Sequence, residues 1–162
     1  MSRFLAWPRR PRRLGPILAC TLALPAAAAL PAARDLPAEA RAAAEGGFPL
    51  VLMFSRAECS WCAQVRRLHL EPIAARPEGT VPVRQVDIDR SRPLVDFAGH
   101  TTNHRAYARS LGVKLVPTVV FLGSDGRQVA EPIVGAVGAD FYGAYLERSL
   151  EEGRRRVAEE RR

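Results

Sequence analysis

Two cysteines separated by two residues, Cys59 and Cys62, are the side chains of this sequence best suited to do chemistry. The apolar run 49–54 precedes them and a helix-forming segment, Ser60 to about Ala75, follows them, which predicts a strand-to-helix junction at the pair. Unpaired N–H groups and the positive end of the helix dipole favour a thiolate there. We therefore predict thiol–disulfide exchange, with Cys59 as the nucleophile and Cys62 as its resolving partner.

A structural cysteine pair and half of a zinc site are alternative interpretations of the same motif. The closed loop is too short to stabilise a fold much, and no second C-x-x-C is present for a four-thiolate zinc site. Three histidines, His69, His100 and His104, leave open a copper or zinc site of two thiolates with one or two imidazoles. In the opposing interpretation His69 is a partly exposed helix residue and His104 lies in the first turn of a helix. Glu58, beside Cys59, is either a proton relay or a solvated neighbour.

The positive charge of the chain is concentrated near its N-terminus. Of the 162 residues, with a formal net charge of +7, residues 1–33 hold five arginines and no acidic residue. The rest of the chain has 19 basic and 17 acidic residues. A phosphate-binding face needs clustered basic side chains on the folded domain itself, so we predict no nucleic-acid partner. The length fits a single domain, which we expect to be a monomer.

The first 33 residues have the organisation of a secretory signal peptide. A basic region ends at Arg13, an apolar segment runs from Leu14 to about Leu30, and small residues suitable for cleavage lie around 27–33. An uncleaved anchor is the alternative, although prolines interrupt the apolar segment. Twin-arginine and lipoprotein signals, the latter at Cys20, match less well. We predict export to the periplasm or an equivalent compartment, with a cleaved signal at 1–33, a domain at 34–152 and a charged tail at 153–162.

The remaining pattern alternates helices and strands around the cysteine motif. The predicted helices cover 36–45 with Asp35 as the cap, 60–75 interrupted at Pro72, Thr101 or Thr102 to Leu111, and 140–151 with a solvated helical extension. The predicted strands cover 49–55, 80–88, 113–122 and 128–134, and residues 90–100 form an irregular insertion. This order predicts an α/β fold with a mixed central sheet, flanking helices and a C-terminal antiparallel hairpin.

On these motifs the sequence resembles the thioredoxin superfamily over about residues 35–152. The resemblance rests on the C-x-x-C between a strand and a helix and on Val116-Pro117-Thr118 before a later strand. It implies the thioredoxin fold, and a cis peptide bond before Pro117 in a loop that lies against the cysteine pair. The backbone of Val116 would then face an incoming extended peptide. The redox-active disulfide would serve in place of a cofactor, with no metal.

Trp61, between the two cysteines, is predicted to contact substrate at the rim of the site, together with Val116 and Pro117. Packing of Trp61 over its own helix is the competing interpretation. The insertion at 90–104 is expected beside the Pro117 loop, where it either selects substrates or is an ordinary surface loop.

Within the superfamily the chain looks most like exported bacterial thioredoxin-like thiol:disulfide oxidoreductases. It departs from cytosolic thioredoxin in the Ser-Trp dipeptide between the cysteines, in Met53 where a buried aspartate is expected, and in Gln85 where a lysine is expected. These departures leave open which group handles the proton of Cys62.

The direction of electron flow is predicted from what the chain lacks. No separate dimerisation domain precedes the thioredoxin unit and no large helical insertion follows the second strand, so we expect a reductase rather than an isomerase or an oxidase. Its partners would be disulfides of exported proteins or peptides and an upstream thiol donor of electrons, for which a membrane protein is one candidate. The alternative function is a peptide-binding or chaperone module that uses the Val116–Pro117 groove without redox turnover.

Overall fold

A computed structural model describes residues 30–76, 81–136, 138 and 141–162. Its elements in chain order are α1 (Leu36–Glu45), β1 (Leu50–Ser55), α2 (Ser60–Val65), a π-helical turn (Arg66–Leu70), α3 (Glu71–Ala74), β2 (Val83–Asp87), β3 (Pro93–Val95), β4 (Thr101–Asn103), α4 (His104–Ser110), β5 (Thr118–Leu122), β6 (Ile133–Val134) and α5 (Tyr142–Glu160). None of the helices in this described part combines the length and the apolar character needed to cross a membrane.

A four-stranded mixed sheet lies at the centre, in the order β2-β1-β5-β6. β1 is parallel to β2 and antiparallel to β5, and β6 is antiparallel to β5. Every residue of β1 is buried because helices cover both faces of the sheet, which explains its unbroken apolar run. The predicted mixed sheet with a C-terminal antiparallel hairpin is confirmed. β5 begins later than predicted, directly after Pro117, a residue that has no N–H to give to a sheet.

Two hydrophobic clusters, one on each face of the sheet, hold the helices in place. Successive strand residues point to opposite faces, so Met53 enters the first cluster with Cys62 of α2 and Leu146 of α5. Phe54 enters the second cluster, where its ring stacks on that of Tyr107 from α4 at a centroid distance of 6.4 Å. The cysteine-bearing helix and the C-terminal helix therefore share one face of the sheet.

An extended segment at 31–35, which the sequence did not predict as a strand, joins the main sheet to a second, smaller one. The Ala33 N–H donates to the Gln85 carbonyl at 2.9 Å, and the Gln85 N–H donates to the Pro31 carbonyl at 2.9 Å. Further on, the segment makes a parallel bridge to Val95 in β3, which pairs with β4. The last residues of the predicted signal peptide thus belong to the folded domain, and its remainder at 1–29 lies outside the described residues.

The insertion after β2 is more regular than predicted. β3 and β4 pair as an antiparallel sheet with Pro93 opposite Asn103. The helix cap predicted at Thr101 or Thr102 was wrong, since both residues belong to β4. Asn103 caps α4 instead, its side-chain oxygen accepting the Ala106 N–H at 3.0 Å. Asparagine and threonine both cap helices well, so residue type alone did not fix the boundary.

The helix after the cysteines runs without a gap but changes its hydrogen-bonding pattern. α2 passes into the π-helical turn, in which the Glu71 N–H reaches back five residues to the Arg66 carbonyl, and α3 follows directly. Pro72 lies in the first turn of α3 and removes one helical hydrogen bond. The interruption predicted at Pro72 therefore takes the form of a widened turn immediately before the proline, and helical structure continues through it.

The C-terminal helix is longer and more deeply packed than predicted. α5 continues to Glu160, and its Gly153 and Val157 are buried. A Cβ atom on Gly153 would lie 2.8 Å from Cγ of Pro49, so the helix passes too close to this residue for a larger side chain. The interpretation of residues 153–162 as a solvated extension was therefore wrong for the face that carries Gly153 and Val157. Asp140, the predicted helix start, lies outside the described residues.

Candidate active site at the Cys59–Cys62 disulfide

Cys59 and Cys62 form a disulfide with their Cα atoms 5.2 Å apart. Cys59 is the N-cap of α2, and its Sγ accepts the backbone N–H of Cys62 at 3.1 Å. Cys62 is fully buried, whereas Cys59 is partly exposed. An external thiol or disulfide can therefore reach only the Cys59 sulfur, and Cys62 can react only within the protein. This asymmetry fits the predicted nucleophile and resolving partner.

The local structure favours a negative charge on the Cys59 sulfur when the pair is reduced. The Cys62 N–H is already aimed at that sulfur, and a hydrogen bond to an ionised group is stronger than one to a neutral group. Helical structure then runs unbroken from Ser60 to Ala74, so its positive end points at Cys59. Both effects favour the thiolate, the form of cysteine that attacks disulfides.

The loop with Val116 and Pro117 lies at the same edge of the sheet as the disulfide. Phe54, near the end of β1, pairs with Thr118 at the start of the antiparallel β5, so the loops beyond these two ends emerge together. The Val116–Pro117 peptide bond is cis. The Thr118 hydroxyl closes the loop by donating to the Leu115 carbonyl at 2.8 Å.

The three residues predicted to bind substrate differ in exposure. Trp61 is 55% exposed, which favours a rim position over packing against its own helix. Val116 is half-buried and Pro117 is buried. The backbone N–H and carbonyl of Val116 form no backbone hydrogen bond within the described part of the chain. They are therefore available to an extended peptide that pairs as an added strand.

Met53 and Gln85, the two residues that depart from cytosolic thioredoxin, are register partners across β1 and β2. Met53 is fully buried in the cluster that contains Cys62, so the side chain beneath the buried sulfur is apolar there. On the same face of the sheet, the next register pair toward the disulfide end is polar and consists of Ser55 and Asp87. The resemblance implies polar residues at the positions of Met53 and Gln85. On this face of the sheet, the Ser55–Asp87 pair instead lies one pair closer to the disulfide.

Arg66 connects the cysteine-bearing helix to these polar groups. Its Nε donates to the Gln85 side-chain oxygen at 2.8 Å and its Nη2 donates to the Ser55 hydroxyl at 3.1 Å. The Gln85 amide in turn donates to Asp87 Oδ1 at 2.5 Å. The sequence interpretation missed Arg66 and Ser55. The available signal was the spacing of four residues between Cys62 and Arg66, which places both on one side of a helix.

The segment between β1 and the disulfide is held by a hydrogen bond to a residue that follows β2. Asp89 Oδ2 accepts the Ala57 N–H at 3.2 Å, and Arg105 donates to the Asp89 carbonyl at 2.6 Å. Glu58 is exposed and forms no hydrogen bond or ion pair with any described residue. This favours the interpretation of Glu58 as a solvated neighbour of Cys59.

The histidines do not join the cysteines in a metal site. Among the described residues, no group of three or more His, Cys, Asp or Glu side chains could hold an ion. The His69 ring lies 4.8 Å from that of Tyr142, and burial lowers the pKa of His69. His100 pairs with Asp96, and His104 is fully buried with both ring nitrogens hydrogen-bonded to backbone. The described residues thus offer no support for the metal-site alternative. His104 lies in the first turn of α4 and His69 is a partly exposed helical residue, so the opposing interpretation is confirmed for both.

The tip of the insertion lies away from Pro117. A Cβ atom on Gly126 would come within 2.5 Å of the Phe97 ring, so this part of the insertion packs beside the turn that follows β5. Pro117 precedes β5 at its other end. The expectation that this insertion lies beside the Pro117 loop was wrong for its tip, because Phe97 packs at the far end of β5.

The chain is similar to a family of thioredoxin-like domains and to several solved thioredoxin structures. The profile of a family described as "Thioredoxin-like domain" matches residues 36–149. The chain is similar in structure to thioredoxin O2 of Arabidopsis thaliana, with 20% identity over 75% of this chain and 95% of that one and a TM-score of 0.48. Mitochondrial thioredoxin 3 of Saccharomyces cerevisiae gives 18% identity over 73% and 94%, with a TM-score of 0.47. A thioredoxin variant of Halobacterium salinarum gives 22% over 75% and 91%, with a TM-score of 0.49.

A comparison with curated protein sequences found no match. The family profile spans both cysteines and the Val116–Pro117 loop and covers most of the chain. The disulfide at the start of a helix in this fold supports thiol–disulfide redox activity in which the cysteine pair itself is the redox group. The chain therefore belongs to the thioredoxin-like domain family.

Proposed function

We propose that this protein is an exported thiol:disulfide oxidoreductase that reduces disulfides in other exported proteins or peptides. The observation that carries the proposal is the asymmetry of the pair. The Cys59 sulfur is partly exposed, caps a helix and accepts an N–H, whereas Cys62 is fully buried behind it. A nucleophile that meets substrate and a second thiol that reacts only internally need this arrangement.

The reaction runs from the reduced protein in two exchanges. The Cys59 thiolate attacks one sulfur of a substrate disulfide, which forms a mixed disulfide and releases the other substrate sulfur as a thiolate. Cys62, having lost its proton, then attacks the Cys59 sulfur and displaces the second substrate thiolate. The products are a substrate dithiol and the Cys59–Cys62 disulfide present in the structure. Two electrons pass to the substrate, and an upstream dithiol must return two to the protein.

The substrate segment is proposed to lie across the Val116–Pro117 loop as an extended strand. The free N–H and carbonyl of Val116 would pair with it, and the exposed Trp61 would contact its side chains from the opposite side of Cys59. Backbone hydrogen bonds depend little on the side chains of the substrate, which suits an enzyme that acts on many different disulfides.

The reductase direction is supported by the connection between β2 and α4. This connection contains the small β3–β4 sheet and no helix, unlike the large helical insertion that the family resemblance associates with dedicated oxidases. Export is supported by the N-terminal arginines and the apolar segment that follows them. We propose that the protein works as a monomer, with an upstream thiol donor, for which a membrane protein is one candidate.

Insulin reduction tests the chemistry, with dithiothreitol as the electron source. The unmodified protein is expected to accelerate the reduction of insulin disulfides, and Cys59→Ser is expected to abolish the acceleration. Cys62→Ser should accumulate a mixed disulfide at Cys59, because the internal attack is lost. Full activity of Cys59→Ser would contradict the proposal.

The direction of electron flow is tested separately, by equilibrating the pair with glutathione. A reductase requires a potential well below that of the strong oxidants, and we expect a value below about −200 mV. A potential near about −120 mV would contradict the reductase direction while leaving disulfide exchange in place.

A second candidate function is a peptide-binding or chaperone module. A groove of about 450 Å³ lies between α4 and the β5–β6 hairpin, and it reaches Leu115 and Thr118 at the substrate edge. Leu111 and Leu115 are 54% and 63% exposed, so the groove could accept apolar side chains of an extended peptide. Suppression of aggregation of an unfolded client by Cys59→Ser, equal to that of the unmodified protein, would favour this module. Loss of suppression together with insulin reduction would favour the enzyme.

A further inference from the structure

The buried position of Cys62 sets a problem for the second exchange step. Cys62 must lose its proton before it attacks Cys59, yet it lies fully buried in a cluster that contains Met53 and Val65. A thiolate in apolar surroundings is unfavourable unless charge or hydrogen bonds stabilise it. The groups that could do this must lie on the side of the helix that faces the sheet.

Arg66 has that position. It follows Cys62 by four residues, and its side chain reaches Ser55 and Gln85 on β1 and β2. Side chains at this spacing on a helix have their Cβ atoms about 6 Å apart. The guanidinium is therefore held beneath the cysteine-bearing helix, on the face of the sheet that contains Met53.

The charge of Arg66 is not neutralised by direct contact with a carboxylate in the described part of the chain. Its hydrogen-bond acceptors are a hydroxyl and an amide oxygen, both neutral. The carboxylate of Asp87 is one hydrogen bond further away, through the Gln85 amide, and it lies 3.4 Å from Nε of Arg92. Because its hydrogen-bond partners are neutral, no adjacent negative charge offsets the positive charge of Arg66, which therefore acts more strongly on other nearby charges.

We infer that Arg66 is a positioning residue for the exchange reaction, holding a positive charge beneath the Cys59–Cys62 pair that stabilises its thiolate form. The inference rests on the proposed thiol–disulfide exchange and adds a residue to it. The charge should help Cys62 to lose its proton and should favour the thiolate form of Cys59. It should also shift the equilibrium of the pair toward the reduced state, because the reduced state alone carries the thiolate.

Other charges surround the pair but are less well placed to act on it. Arg56 and Glu58, on the segment before Cys59, are exposed to solvent that screens them. Asp89 holds the Ala57 N–H, and Arg67, on the helix, is exposed. Among the charged residues that the structure describes, only Arg66 is fixed by two hydrogen bonds to groups beneath the helix.

The test replaces Arg66 by methionine, which keeps much of its length and removes its charge. In Arg66→Met we expect the equilibrium constant with glutathione to move about tenfold toward the disulfide, a potential about 30 mV lower. The pH at which alkylation of the reduced protein reaches half its maximal rate should rise by about one unit. Arg67→Met is the matched control, since it removes an exposed charge from the next position, and both quantities should stay at their original values.

Two further variants separate charge from structural support. Arg66→Lys keeps the charge without the two-pronged geometry and should restore most of the original potential. Asp87→Asn removes the nearest carboxylate and should shift both quantities in the opposite direction, which gives a test even if Arg66→Met fails to fold. If Arg66→Met lowers the melting temperature but leaves the potential and the alkylation profile unchanged, Arg66 is only a structural clamp and the inference is wrong. If the unmodified pair does not exchange with glutathione at all, the proposed function itself is contradicted.

Discussion

The Nε2 atom of His104 lies 2.9 Å from the carbonyl oxygen of Ala33, a hydrogen bond between residues 71 positions apart in the chain. The other ring nitrogen, Nδ1, accepts the backbone N–H of Asp87 at 2.9 Å, so the proton of the neutral imidazole must be on Nε2. One fully buried side chain thus connects the N-terminal segment, β2 and the start of α4.

His104→Ala is expected to lower the free energy of unfolding by roughly 2–4 kcal/mol, because the Ala33 carbonyl and the Asp87 N–H would be left buried without partners. Urea denaturation monitored by circular dichroism would measure the change. His100→Ala is the control, since its side chain is 78% exposed, and we expect it to change stability by less than about 0.5 kcal/mol. Equal stabilities of the two variants would show that the His104 bridge contributes nothing.

Under the proposed export, signal-peptide cleavage is expected to leave residues 30–33 on the mature protein. Leu30 and Ala33 are buried, and the backbone of Pro31 and Ala33 is hydrogen-bonded to β2. The alanines just before Leu30 offer the small residues that signal peptidase needs. The intact mass of the protein recovered from the periplasm should correspond to a chain that begins at or before Leu30. A mature chain that begins at Arg34 would contradict this expectation.

Alkaline pH should destabilise the protein through Tyr107. Burial, and then the negative charge of Asp96, raise the pKa of Tyr107 from 10.0 to about 12. The folded state therefore holds the phenol neutral while the unfolded chain ionises it, so the stabilisation is complete below pH 10 and is lost as the pH rises to about 12. The free energy of unfolding of the disulfide form should fall over this interval, by at most about 1.4 kcal/mol per pH unit for this group.

Tyr107→Phe should make this decline shallower, as judged from urea denaturation at several pH values. Tyr145→Phe is the control, because Tyr145 is 43% exposed, and its slope should match that of the unmodified protein. Burial also raises the pKa of Tyr142, so part of the decline should persist in Tyr107→Phe. Identical slopes for Tyr107→Phe and the unmodified protein would count against the assignment.

Two glycines of α5 should respond in opposite ways to the same substitution. Gly153→Ala places a methyl group 2.8 Å from Pro49 Cγ, and we expect a loss of about 1–3 kcal/mol despite the better helix propensity of alanine. Within the described residues, the methyl group of Gly143→Ala meets only His69 Nδ1, at 3.8 Å, and this variant should gain up to about 1 kcal/mol. Thermal or urea unfolding of both variants would measure the pair. A gain in both would show that the end of α5 is not packed against the residues before β1.

The cysteine motif and the order of elements around it could be predicted because they depend on neighbours in sequence. The apolar run of β1, the cap at Asp35 and the change of helical pattern just before Pro72 are each determined within a few residues. These local patterns predicted an α/β fold with a mixed central sheet, because few architectures accommodate alternating strands and helices that end in a hairpin. The thioredoxin fold was implied by the resemblance that the C-x-x-C motif and Val116-Pro117-Thr118 carry.

The polar groups beneath the helix could not be predicted in the same way. The contact between Arg66 and Gln85 depends on the register of β1 against β2, which places residues 19 positions apart in contact. The inward orientation of His104 likewise depends on where the 31–35 segment lies. The strand character of this segment was hidden, since its alanines and proline are equally typical of a signal-peptide cleavage region.

The 31–35 segment also covers an edge of the central sheet. It occupies the outer side of β2, where it takes up the N–H and the carbonyl of Gln85, and it carries Pro31, which blunts a strand edge. A chain trimmed beyond Ala33 would expose that edge to solvent. Unpaired strand edges are templates for other chains, so the position of one proteolytic cut would decide whether this domain stays in solution or adds to the sheet of a neighbouring copy.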